Sequence, residues 1–210
     1  MKSIDKLGWI IAAGLTGLLA GTGFQGATPK FGSVDLEKVF NDSDYVKKQN
    51  DALRALGTAR QDLLEFIDAN KAMDPAGVAR LRAISLKDVP TPAEKTESDK
   101  IKSDALGATR AYRDLQTKAN PTETDKAALR DFSTRVDSNN RTLQTWNDEF
   151  RQELANRQGA LRTESLNRAK DAVKATAKDQ GFSIIFVEQV APYAANDITD
   201  ASLKAMNAKK

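Results

Sequence analysis

The chain of 210 residues contains no cysteine and no histidine, and those two absences exclude much chemistry. Without a thiol or an imidazole there is no disulfide, no zinc site of the usual nitrogen-and-sulfur kind, and no Ser-His-Asp or Cys-His nucleophile system. Catalysis would rest on carboxylates, lysine, tyrosine or hydroxyls, and no set of these converges in the sequence. The reading is therefore not an enzyme, with no cofactor and no metal. Aromatic residues are scarce at 6%, which argues against a large compact core. An excess of one charge is also missing. Against 32 Lys plus Arg stand 29 Asp plus Glu, a net +3, and removing residues 1–27, which hold Lys2, Lys6 and Asp5, leaves +2. With the two signs interspersed, this balance points to no nucleic-acid partner. What is present is 40% hydrophobic and 29% charged, the composition of a helix-rich or coiled-coil chain.

Lys2 and Lys6 precede an uncharged apolar stretch from Leu7 to Phe24, and small residues follow at Gln25-Gly26-Ala27. This is the pattern of a secretory signal peptide over residues 1–27. The other reading is an uncleaved membrane anchor, because the stretch would span roughly 27 Å as helix, near the lower limit for a bilayer. Five interrupting glycines favour the signal, and the lack of cysteine excludes a lipoprotein signal. Either way the rest of the chain is expected in the periplasm, held by packing or oligomerisation instead of disulfides. Gly21-Thr22-Gly23-Phe24-Gln25-Gly26 fits G-x-G-x-x-G. That fingerprint works only between a buried strand and a helix N-terminus, and here it runs into Pro29.

Beyond the signal the pattern is helix between two short strands. Residues 30–35 read as a strand, after which Asp35 or Ser33 caps a helix from Leu36. Val46, Gln49, Leu53, Leu56, Arg60, Leu63 and Ile67 then follow alternating steps of three and four, a coiled-coil seam with two polar interruptions. Asp74-Pro75 and Gly77 cut the pattern. It resumes in Val78, Leu81 and Ile84, and Pro90 and Pro92 end it. Pro90-Thr91-Pro92-Ala93-Glu94-Lys95 recurs as Pro121-Thr122-Glu123-Thr124-Asp125-Lys126. Each threonine has a carboxylate three positions on, which is the signature of a capping box, so helices begin near 92 and 123. The first is expected to run to about Ala119. The second carries a seam of Leu129, Phe132, Val136, Asn139, Leu143, Trp146 and Phe150, stopping at Gly181 as a left-handed C′ residue.

Phe182 to Val187 is a nearly continuous apolar run, read as a buried strand. A second extended piece is expected through Val190-Ala191-Pro192-Tyr193, and Asp197-Ile198-Thr199-Asp200 caps a closing helix with Leu203 and Met206. Two such short strands are marginal alone and must meet in one sheet. Residues 36–88 and 123–180 would extend roughly 80 and 87 Å as continuous helix, so the intervening chain goes out and returns. The fold class expected is mainly α with a small β element. A helical coiled-coil arm, residues 46–180 with a Pro-bounded insert at 74–121, joins a small β-rich oligomerisation body, residues 28–45 and 181–210.

Phe31-Gly32-Ser33-Val34-Asp35-Leu36-Glu37-Lys38-Val39-Phe40 resembles the opening strand and helix of the OmpH-like family of periplasmic chaperones. At the other end, Gly181 to Val187 and Tyr193 to Asp200 resemble its closing strands and last helix. The resemblance implies a homotrimer with a β-rich body and helical tentacles, holding unfolded outer-membrane proteins without ATP. The family chaperone is strongly basic where this chain is balanced, and the 74–121 insert exceeds a two-helix tentacle.

On this reading Phe31, Val34, Leu36, Ile184, Phe186 and Tyr193 form the oligomer interface, or else a private monomer core. The candidate client-binding residues are the apolar side chains that the seams leave over: Leu64, Phe66, Leu86, Ile101, Leu106, Tyr112 and Leu115. Their other reading is packing between helices of the arm. Mixed-sign runs such as Glu94 to Lys102 are solvated helix faces or guides for clients and the membrane surface. The function expected is a periplasmic ATP-independent holdase; the alternative is a structural coiled-coil spacer or tether of the cell envelope.

Overall fold

A computed structural model describes residues 29–87, 89–191 and 195–208. The signal assigned to residues 1–27, and Tyr193, lie outside the described residues. In chain order the elements are β1 (Phe31–Val34), α1 (Leu36–Asp42), α2 (Asp44–Ala69), α3 (Pro75–Ser85), α4 (Pro92–Thr117), α5 (Glu123–Asp179), β2 (Ile184–Val187) and α6 (Thr199–Ala208). The protein is mostly helix with one small sheet. Two compact units divide it: residues up to 43 together with those from 168 onward, and residues 44–167. α5 contributes to both.

The first unit is built around β1. Its four residues pair in parallel with β2, Phe31 opposite Ile184 and Val34 opposite Val187, and the amide of Glu188 extends the ladder to the carbonyl of Val34 at 3.0 Å. On its other edge Ser33 accepts from the amide of Ile198 at 2.9 Å and donates to the carbonyl of Asn196 at 2.8 Å. β1 is therefore flanked on both sides. The second extended partner is thus Asn196–Ile198, not the segment through Val190: the amide of Val190 turns back to the carbonyl of Val187 at 2.9 Å. Gly32 allows this close approach, because a Cβ there would lie 2.9 Å from the Asn196 carbonyl oxygen.

The Asp35 carboxylate accepts from the amide of Lys38 at 2.8 Å, capping α1. The helix expected to run on from Leu36 ends after about two turns, at Asp42. Ser43 is extended at φ −66°, ψ 138°, and α2 starts afresh. α1 packs against α6, and the two are tied by the Asp35 amide donating to the Thr199 hydroxyl at 2.8 Å and by a Lys38–Asp200 ion pair at 3.0 Å. Val34, Val39, Ile198 and Met206 are buried in this unit, as are Ala169 and Ala172 of α5. Gly181 ends α5 at φ 72°. The amide of Phe182 reaches the carbonyl of Ala177 and that of Gly181 the carbonyl of Lys178, a Schellman motif.

The second unit has its own core of Leu63, Ile67, Met73, Val78, Leu81, Ala105, Trp146 and Phe150, drawn from α2, the corner after it, α3, α4 and α5. Beside α2, α4 and α5, the short α3 joins this core as a fourth helix. The two polar interruptions of the seams that are buried have specific partners. Asn139 donates its side-chain amide to the carbonyls of Lys71 and Met73 at 2.8 and 2.9 Å, closing the corner after α2. Arg60 donates to Glu153 at 3.3 Å and lies over the Phe150 ring. Both predicted capping boxes form. In the first, Thr91 accepts from the Glu94 amide at 3.2 Å while Glu94 accepts from the Thr91 amide at 3.0 Å; in the second, Thr122 and Asp125 exchange the same bonds at 3.2 and 2.8 Å.

Candidate functional surfaces

Strand alternation sorts the side chains of the sheet onto two faces. Phe31, Ile184 and Phe186 occupy one, and they remain 46%, 47% and 37% exposed. The rings of Phe31 and Phe186 meet at 6.3 Å. β2 is therefore not the buried strand that its apolar run predicts: among the described residues it is covered on one face only. Val34 points the opposite way and is 2% exposed, inside the chain's own core. Leu36 begins α1, half-buried. Of the six residues read as an interface, three thus share an open apolar face, one serves the internal core, one lies beside it, and Tyr193 is outside the described residues.

The predicted client-binding residues do not form one patch. Leu64, Phe66 and Ile101 lean on the core of the helical unit. Tyr112 of α4 stacks on Phe132 of α5 at 5.8 Å, and Leu115 is half-buried. Leu86 and Leu106 are exposed. Packing among α2, α3 and α4, which the seam pattern does not anticipate, accounts for Phe66, under Lys102 of α4, and for Ile101, beside Gly77 of α3.

Charge in this unit fastens the α3–α4 connection. Glu94 is nearly buried and accepts from the Lys87 ammonium, with Arg80 at 3.9 Å. The Lys87 hydrogen bond, with that from the Thr91 amide, holds the Glu94 carboxyl well down, to about 2. Asp125 is likewise held to about 2 by the Lys118 ammonium, 2.7 Å away, and by Thr122. Arg82 lies over the Trp146 ring at 4.6 Å and pairs with Glu149 at 2.6 Å. All these groups are committed to holding helices together. Sequence reading placed Leu143 in the buried seam, yet it is half-exposed beside Leu64 in a groove of about 350 Å³ along α2 and α5.

The fold is that of a long-helix protein with a minimal parallel sheet formed by the two ends of the described chain. No described helix is long and apolar enough to cross a membrane. The family model of OmpH-like outer membrane proteins matches residues 91–206, more than half of the chain. The chain belongs to the OmpH-like family. The match takes in the closing strand and helix, Gly181 to Asp200, and does not extend to Phe31–Phe40. No curated protein and no solved structure matches.

Proposed function

We propose that the protein is a periplasmic holdase, binding unfolded outer-membrane or envelope proteins without ATP, and that it works as a homotrimer joined through the outer face of the β1–β2 sheet. Membership of the OmpH-like family carries this reading. The open apolar face of Phe31, Ile184 and Phe186 supports the assembly, since contiguous apolar surface on a small sheet is what a subunit contact covers. A holdase lowers the free concentration of aggregation-prone chains by mass action, with no chemical step. The test is to dilute a urea-unfolded β-barrel protein into stoichiometric amounts of the processed protein and follow turbidity without nucleotide. Suppressed aggregation is expected; a client that aggregates as fast as it does alone overturns the reading. Light scattering on the same sample counts the subunits.

A further inference from the structure

The core of the helical unit covers only one flank of the α2–α5 pair. α3 and α4 bring Val78, Leu81 and Ala105 onto Leu63, Ile67, Trp146 and Phe150. The opposite flank keeps the groove whose floor is Leu64, Ala69 and Leu143. Its volume of about 350 Å³ has room for an aromatic or branched aliphatic side chain together with its neighbour. The rim is polar and of one sign. Glu65 and Asp68 line it, with Gln61 and Asn147, and no lysine or arginine does. The Glu65 carboxylate accepts from Gln61 at 2.8 Å and has no cationic partner among the described residues. Asp68 is paired to Lys71, in the turn that follows α2, at 2.9 Å and stays 64% exposed.

An apolar floor under a carboxylate rim selects by complementarity. From this geometry we infer that the groove binds extended client segments in which a large apolar residue is followed by lysine or arginine, the apolar side chain on Leu64 and Leu143 and the cation at Glu65 and Asp68. A chain with almost no net charge thereby acquires a local preference that its overall balance does not give. The inference rests on the holdase reading and adds to it the site and the chemistry of the segment captured.

Two labelled peptides of equal length, alternating leucine with lysine or leucine with glutamate, are titrated against the full processed protein and followed by fluorescence anisotropy. The lysine peptide is expected to bind more tightly. In the double variant Glu65→Lys, Asp68→Lys, its affinity is expected to fall about fivefold, the scale of two exposed charge contacts, while the glutamate peptide gains. Circular dichroism checks that this surface variant stays helical, and Leu143→Ala is expected to weaken both peptides. Equal binding of the two peptides, or a preference that the charge reversal leaves unchanged, overturns the inference. Aggregation assays run beside the titration separate the two claims. Suppression of client aggregation with no peptide preference removes the groove and leaves the holdase; no suppression removes the holdase whatever the peptides do.

Discussion

The rings of Phe31 and Phe186 lie 6.3 Å apart on the outer face of the sheet, each more than a third exposed. They come from strands about 150 positions apart. Replacing Phe186 by aspartate places a charge in the middle of that face without touching the buried Val34 behind it. The proposed oligomer is expected to dissociate to folded monomer, shown by a drop in mass on light scattering with unchanged circular dichroism. A variant that keeps its mass places the subunit contact elsewhere.

Asn139 is fully buried, and its amide satisfies two carbonyls at the corner that follows α2. Asn139→Ala leaves both carbonyls without that partner and a small void beside Met73. A loss of about 2 kcal/mol is expected, read as a lower urea midpoint in the emission of Trp146, which sits in the same core.

Acid should loosen the helical unit before it loosens the sheet. Glu94 and Asp125 fall from ordinary values of 4.5 and 3.8 to about 2 in the folded protein. Because the folded values are depressed, the stability that these groups confer is complete above about pH 4.5 and is lost as the pH falls toward 2. The melting temperature is expected to decline over that interval. In Glu94→Gln the decline should be shallower and the stability at neutral pH lower, because the bond from Lys87 to a charged carboxylate is gone.

At Gly32 the neighbouring backbone leaves no room for a side chain. Gly32→Ala is expected to push Asn196–Ile198 away from β1, exposing the Ser33 amide to faster hydrogen exchange while amides of the second unit exchange as before. Protection at Ser33 equal to that of the unaltered protein would contradict this.

Much of the fold was legible in the sequence. Pairing of residues 31–34 with 184–187 follows from two strands too short to stand alone. Helix starts at 92 and 123 follow from the Thr91 and Thr122 boxes, and the stop at Gly181 from its C′ chemistry. Less legible was what depends on tertiary partners. Arg60 and Asn139 read as defects in a heptad seam because their partners, Glu153 and the carbonyls of Lys71 and Met73, lie 66 to 93 positions away. The break at Ser43 carries no proline or glycine to announce it. That Phe31, Ile184 and Phe186 are apolar is plain in the sequence, but alternation along β1 sends Val34 inward, a distinction that four residues interrupted by Gly32 do not display. In the candidate site, the period makes Leu64 a client-binding candidate or arm packing and Leu143 a seam position, and the groove between them exists because α3 and α4 occupy one flank and not the other.

The closure of β1 by Ile184–Val187 and by Asn196–Ile198 sets an order of events. A chain synthesised from its amino end holds all the material of the 44–167 unit before β2 has appeared. Phe31 to Val34 must wait for almost the whole polypeptide. A newly emerging molecule therefore spends its longest interval with β1 unmatched, and any premature end upstream of Ile184 yields a helical fragment that can never complete the sheet.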